Sequence, residues 1–326
     1  MEVSLSVFGD EVFLPLCTSF AEKAARAFGL AEAEALALTL AAEEIFVHLC
    51  KTTAWGGAVD VRCRSGVYYV EQDFSFKADD FDMEAFNLTA KPSFQDERAV
   101  EETGLLIASR MVDRFTLSES EKGLRLTLIK HKAYPEIGEV SLPPAVPLVE
   151  FLIRSPDPEE LKIFSRLVST QYAAHVVPEA FHFPGKLVDM VLSGDAEAAI
   201  AVDAAGHVGG GLFWQWKSDV AVECSGPYLF DQPEGSTMAQ ALVDACIAAL
   251  GRTSAVGLFV PYPTPELPRD YFEVLGHSRV NKSDGTHADV TAYYRHLQED
   301  LGDVVWVHPS LEPFLRHEYS GSHLCV

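Results

Sequence analysis

Two periods of hydrophobic spacing run along this chain, and each change of period marks an element. Pro15 to Phe28, rich in Ala, Leu, Phe and Lys, predicts a helix that stops at Gly29. Glu32 to Cys50 predicts a long Ala/Leu/Glu helix, broken at Trp55-Gly56-Gly57. Ala58–Arg64 and Val67–Gln72 alternate apolar with polar residues and predict two strands joined at Ser65-Gly66. Asp73 to Val100 is acidic, aromatic and irregular, after which Gly104–Phe115 predicts a helix and Leu124–Lys130 a strand. The run 131–147, H-K-A-Y-P-E-I-G-E-V-S-L-P-P-A-V-P, holds four prolines and one glycine and suits a linker.

Beyond it strands and helices alternate. A strand is expected at Leu148–Ile153, helices at Pro158–Thr170 and Lys186–Leu192, and strands at Ala198–Val202 and Val208–Trp214. Val220–Phe230 predicts a strand, Ser236–Leu250 a helix, Val256–Val260 a strand, Pro268–Leu275 a helix and His277–Val280 the start of a strand. The expected class is α+β, with domains over 1–135 and 148–326 and a linker over 136–147.

Composition narrows the functional classes. The chain has 326 residues, 48% of them apolar and 22% charged, enough for two domains with full cores. A net charge of -23 argues against nucleic acid or an anionic membrane as partner, since either needs a basic footprint. It also obliges any phosphate-bearing ligand to find local donors. Six cysteines form no C-x-x-C pair and no zinc spacing, so reduced thiols and a cytoplasmic location are expected. No basic stretch with an apolar core opens the chain, and no apolar run is long enough to span a bilayer.

Within the helix of 32–50, the stretch E-E-I-F-V-H sets Glu43, Glu44 and His48 in an otherwise apolar run. With the hairpin and later helix, this order resembles the GHKL (Bergerat-fold) ATPases, nearest the bacterial anti-sigma-factor serine kinases, over residues 10–132. The resemblance implies an α/β sandwich that binds ATP with magnesium. On it, Glu44 falls at the catalytic base, His48 at the metal-holding asparagine, Asp73 at the adenine-binding aspartate and Gly104 in the second glycine box. The pattern is degenerate: the run Asp73-Phe74-Ser75-Phe76-Lys77 lacks both glycines of the family's D-x-G-x-G. The residues alone also allow Glu43 and Glu44 to lie on the wet side of an amphipathic helix.

The second segment carries a different likeness. A-I-A-V-D-A-A-G-H-V-G-G-G-L-F-W-Q, then A-V-E-C-S-G-P-Y-L-F-D-Q-P-E-G-S-T-M-A-Q-A-L and Y-F-E-V-L-G-H-S-R, resemble in order the central strands, pyrophosphate loop and late signature of the GNAT acyltransferases. The resemblance covers about 148–280 and implies a mixed-sheet α/β domain using acetyl-CoA or another acyl-CoA. Gln232, Gly235, Ser236, Thr237, Met238 and Ala239 fall on the diphosphate loop, where main-chain amides can bind without side-chain charge. Two registers compete, one keeping Gln232 and Gly235, the other keeping Ala239 and placing Glu234 against the phosphates. Ser236 or Thr237 as a plain helix N-cap is the third possibility. Amine acylation needs a base and an acid. Glu223 is the candidate base; Tyr228 and Tyr271 are candidate donors, with Phe272 where the family's tyrosine usually stands.

His308, His317 and Glu318 fit no familiar metal spacing, so no metal site is expected. The aromatic stretch from Tyr293 suggests an edge packed on the other domain or on a second subunit. Two functions follow: a two-domain regulatory acyltransferase, or a non-catalytic regulator recognising a sigma factor or an anti-sigma antagonist. A homo-oligomer is compatible with both.

Overall fold

The structure, a computed structural model, describes residues 1–52, 57–77, 97–120, 123–138, 146–233, 236–281 and 287–297. The chain falls into two compact units, Met1–Tyr134 and Pro135–Val326. Among the described residues no helix is long and apolar enough to cross a membrane.

In the first unit, β1 (Glu2–Phe8) precedes α1 (Leu14–Ala27) and α2 (Glu32–Thr52); β2 (Ala58–Ser65), β3 (Tyr69–Phe76), α3 (Glu97–Met111), β4 (Arg114–Ser120) and β5 (Gly123–His131) follow. The five strands form an antiparallel sheet in the order β1-β2-β3-β5-β4. Alternation fixes its faces. Val59, Val61, Cys63, Val70, Phe74, Leu126 and Leu128 point to one side, where they pack with Ala21 and Ala25 of α1, Leu38, Ile45, Phe46 and Leu49 of α2, and Leu105 and Ala108 of α3. Each of these large α2 side chains is 0% exposed, so each stabilises the unit by roughly 1.5–3 kcal/mol.

Gly29 ends α1 as its sequence position suggests. It has φ +93, its N–H donates to Arg26 O, and the Leu30 N–H donates to Ala25 O. This is the paired C-terminal motif that glycine permits in the left-handed region. Two strands escape the sequence reading. β1 is one; β4 is the other, taking Phe115 into a sheet where a continued helix was expected. The helix α3 stops at Met111 because the next residues pair with β5, and tertiary pairing overrides a weak local preference.

In the second unit the elements are β6 (Leu152–Arg154), α4 (Pro158–Gln171), α5 (Pro184–Ser193), β7 (Ala196–Val202), β8 (Val208–Trp216) and β9 (Ala221–Leu229), then α6 (Met238–Leu250), β10 (Gly257–Val260), β11 (Glu273–Asn281) and β12 (His287–His296). They build a seven-stranded mixed sheet in the order β11-β12-β10-β9-β8-β7-β6, in which β9 and β10 run parallel and the other neighbours antiparallel. The start of α4 is set by a capping box. Asp157 Oδ1 accepts from the Glu159 and Glu160 N–H groups, Glu160 Oε2 accepts from the Asp157 N–H, and Pro158 opens the first turn.

Helix α6 covers one face of this sheet. Met238, Leu242, Val243, Cys246 and Leu250 pack on Ala199, Ala201, Leu212, Trp214, Val222, Cys224, Leu258 and Val260. On the other face an aromatic cluster joins Phe164 and Phe181 to Phe213, Tyr228 and Phe230.

The helix expected at Pro268–Leu275 is instead one short turn at Arg269–Tyr271, followed directly by β11. Of the stretch from Tyr293, expected as an outer edge, residues 293–296 lie in β12 between β10 and β11, with Tyr293 8% exposed in the core, and the part from 298 onward lies outside the described residues. Cross-strand pairing decides both cases, and nothing local announces it. His308, His317 and Glu318 lie outside the described residues.

Candidate functional site

In the second unit one edge of β9 runs on past its parallel partner. β9 and β10 pair only over Ala221–Glu223 opposite Gly257–Phe259, although β9 continues to Leu229. β10 itself ends at Val260, and β9 carries a bulge just beyond the paired stretch. Across the β8 ladder Ser225 faces Phe213 and Tyr228 faces Gly211, so the two residues Gly226 and Pro227 stand opposite one, Leu212. An extra residue bends its strand, and Pro227 has no N–H to offer a further neighbour. Because β9, α6 and β10 form a strand–helix–strand unit with parallel strands, the N-terminus of α6 lies at their carboxyl ends, where β10 has ended.

That N-terminus presents unpaired amides. The first helical bond runs from Ala241 N to Thr237 O (3.0 Å), and Thr237 makes no side-chain cap. The Met238 N–H donates to Ser236 Oγ at 3.3 Å and the Ser236 N–H to Pro233 O at 3.1 Å. Among the described residues the N–H groups of Thr237, Ala239 and Gln240 have no partner, at the positive end of a 13-residue helix. Thr237 is exposed and Ser236 half-buried, while Met238 and Ala239 turn their side chains into the core. Gly235 and Glu234 lie outside the described residues. Gln232 is committed elsewhere. Its Oε1 accepts from the Leu148 N–H (3.2 Å) and its Nε2 donates to Phe230 O (2.7 Å), which pins residues 146–148 to the loop after β9.

The candidate proton-transfer groups occupy different places. Glu223 faces the side of the sheet away from α6, half-buried, with Gln215 Nε2 at 3.0 Å and Lys217 Nζ at 3.2 Å from its carboxylate. Tyr228 is 0% exposed, and its hydroxyl donates to Val176 O at 2.7 Å. Burial pushes its phenol well above the usual range, with Cys224, Tyr172 and Glu223 adding to the rise. Tyr271 lies toward α6 and β12. Its hydroxyl accepts from Gln240 Nε2 (2.5 Å), its carbonyl from Arg295 (2.9 Å), and the Arg295 guanidinium sits 5.6 Å from the ring centre. Glu223 and Tyr271 therefore do not converge.

Two residues at this open edge were missed by the sequence reading. Leu229 faces Gly210 across the ladder, yet its own N–H and C=O both bond the Tyr172 hydroxyl, at 2.7 and 3.0 Å, so they point to the open side. The Thr264 hydroxyl, 1% exposed, donates to Pro227 O at 2.7 Å. Burial pushes the Tyr172 phenol up; the bond to Leu229 opposes this and the neighbouring Glu266 carboxylate adds to it. Tyr172 follows α4 and Thr264 follows β10, and neither carries a motif; only the sheet brings them to one strand edge.

In the first unit the structure joins some candidates and separates others. Glu44, half-buried on α2, meets Gly104 of α3 so closely that a Cβ built there would lie 2.5 Å from Glu44 Oε2. His48 lies one turn further along α2, also half-buried. Asp73 alternates with the core-facing Gln72 and Phe74, so it points to the sheet face opposite the helices. There it accepts from Thr127 Oγ1 (2.6 Å) and lies 3.4 Å from Arg64. Asp73 is thus not brought together with Glu44 and Gly104. Its neighbour Gln72 is 0% exposed on the helix side, and neither atom of its amide has a hydrogen-bond partner. Among the described residues no cluster of His, Cys, Asp and Glu is arranged to hold a metal.

No protein-family model matches the sequence, and none of the curated proteins matches it. Solved structures similar to part of the chain are GNAT acetyltransferases. A phosphinothricin acetyltransferase of Sinorhizobium meliloti in complex with AcCoA is 16% identical, covering 46% of this chain and 90% of its own, with a TM-score of 0.38. YncA of Salmonella typhimurium, described as a putative acetyltransferase with its cofactor acetyl-CoA, is 15% identical over 47% of this chain and 96% of its own, with a TM-score of 0.38. The GNAT family N-acetyltransferase YhbS of Escherichia coli in complex with CoA is 17% identical over 48% of this chain and 86% of its own, with a TM-score of 0.36.

Proposed function

We propose that the second unit is a GNAT-like domain that binds an acyl-CoA at the crevice between β9 and β10 and transfers its acyl group to an amine. The observation that carries this reading is that β9 continues with an open edge past the end of its parallel partner β10 toward the start of α6, whose first amides have no partner among the described residues. Amides at a helix N-terminus suit a diphosphate in a chain whose overall charge repels one. An open strand edge suits a ligand arm that carries amides of its own.

The bound donor would supply an activated thioester. In the transfer the amine nitrogen bonds to the acyl carbon, the carbon–sulfur bond breaks, one proton leaves the nitrogen and one reaches the sulfur. Glu223 is the proposed acceptor of the first proton. A carboxylate offers about four lone-pair sites, and Gln215 and Lys217 engage one on each oxygen. Those two side chains orient it. For the second proton, Tyr228 would first have to release Val176 O.

A second reading, binding without transfer, is favoured by that bond and by the position of Tyr271, which leave neither proposed donor free at the crevice. For the first unit, the strand and helix order and the contact of Gly104 with Glu44 support a GHKL-like module. The separation of Asp73 from them supports its having lost nucleotide chemistry; the reading of this unit as one that recognises a protein of the sigma-factor or anti-sigma-antagonist kind stands beside it.

Calorimetric titration of the full chain with acetyl-CoA tests the main reading. Saturable heat, with a melting midpoint that rises as ligand is added, is the expected result. No heat and no change of midpoint at millimolar acetyl-CoA overturns it. Release of free thiol on adding amines separates transfer from mere binding.

A further inference from the structure

Resting on the acyl-CoA reading of the crevice, we propose that Tyr172 and Thr264 decide which donors it admits, because their hydroxyls already occupy the main-chain groups that the ligand's amide arm would need. An open strand edge recruits ligands through its unpaired N–H and C=O groups. Along β9 the open side begins after Glu223, where the pairing with β10 stops. Pro227 has no N–H, and its carbonyl is taken by Thr264 at 2.7 Å. At Leu229 both groups are taken by the single hydroxyl of Tyr172, which accepts from the N–H at 2.7 Å and donates to the C=O at 3.0 Å.

These bonds lie where such an arm would run. β9 leads from Leu229 into the loop and the N-terminus of α6, so an arm leaving a diphosphate at those amides meets Leu229 first and Pro227 next. Tyr172 is held from behind by its ring against Tyr228, 4.8 Å between centres at 79°, and the Glu266 carboxylate lies beside its hydroxyl. The arm must therefore exchange places with two side-chain hydroxyls. A donor that offers an amide to both positions makes good what it displaces; a nucleotide without the arm has no such exchange to make. The pair thus weakens CoA binding in general and selects for a donor whose amides match the two sites.

The test titrates the full chain and two variants, Tyr172→Phe and Thr264→Val, with CoA and with adenosine 3′,5′-bisphosphate, which lacks the arm. Tyr172→Phe keeps the ring contacts and frees both groups of Leu229; Thr264→Val keeps the volume and frees Pro227 O, and serves if the first variant folds poorly. The expected result is CoA affinity raised about tenfold in each, with the affinity for the bisphosphate unchanged. If wild type and variants bind CoA equally, or the variants bind it more weakly, the gate is overturned and the crevice reading stands. If none of the three binds CoA at millimolar concentration, the crevice reading falls, and the gate with it.

Discussion

Lys217 Nζ stands 3.2 Å from Glu223 Oε2, while Gln215 Nε2 stands 3.0 Å from the other oxygen, so one carboxylate on β9 is oriented by two side chains of one neighbouring segment. If Glu223 accepts the amine proton, Glu223→Gln keeps the shape and the Gln215 contact but removes the base. Acyl transfer, followed by thiol release, is expected to fall at least about 100-fold with CoA affinity unchanged. An equal loss of affinity, or an undiminished rate, would remove Glu223 from the chemistry.

Thr237 permits a test in which stability and binding move in opposite directions. It is the N-cap of α6 and makes no side-chain cap bond. Thr237→Asp supplies an acceptor and a negative charge at the positive helix end, worth about 0.5–1 kcal/mol to the fold. The same charge opposes a diphosphate at those amides. The melting midpoint is expected to hold or rise while the affinity for acetyl-CoA drops tenfold or more. Retained affinity would place the phosphates elsewhere.

Gly104 sits in the middle of α3 with its missing Cβ directed at the end of the Glu44 side chain, 2.5 Å from Oε2 and 3.6 Å from Cδ. The atom in the way is the tip of a flexible side chain, so Glu44 can turn aside. Alanine gains about 1 kcal/mol over glycine inside a helix. Gly104→Ala is therefore expected to leave the melting midpoint of the first unit unchanged or raise it by a few degrees. A marked fall would mean that the Glu44 carboxylate is locked in place.

The fold of the second unit is expected to weaken in acid through Glu160. Its pKa is lowered, first by the two-pronged bond to Arg154 (2.5 and 2.6 Å) and then by the Asp157 N–H. A carboxyl with a depressed folded pKa contributes stability above its unfolded value, near 4.3, and loses it as pH falls through the lower folded one. Thermal melts from pH 6 down to pH 3 should show a steeper decline for wild type than for Arg154→Met. Parallel declines would show that the pair makes no contribution.

Much of this architecture is written in local pattern. The capping box at Asp157, the stop at Gly29 and the alternation from Val59 to Cys63 each state an element and its face within a few residues. Alternation also carried a message about Asp73. It shares its parity with Glu71 and Ser75 rather than with Val70 and Phe74, which points it away from the helices. What local pattern lacks is what separate segments do together. The bulge in β9 exists only against Leu212 of β8, and Tyr172 meets Leu229 across 57 positions of sequence.

The place of β12 bears on how the molecule comes to be made. It is the last described strand, yet it lies between β10 and β11, which precede it in the chain. While the polypeptide is still leaving the ribosome, those two have no partner on the facing sides, and the sheet is completed only once Tyr293 and its neighbours emerge. Until then the growing protein exposes a sticky rim to its surroundings. A ribosome stalled before His287 would release a product prone to clump, and chaperone demand during synthesis should be concentrated in that interval.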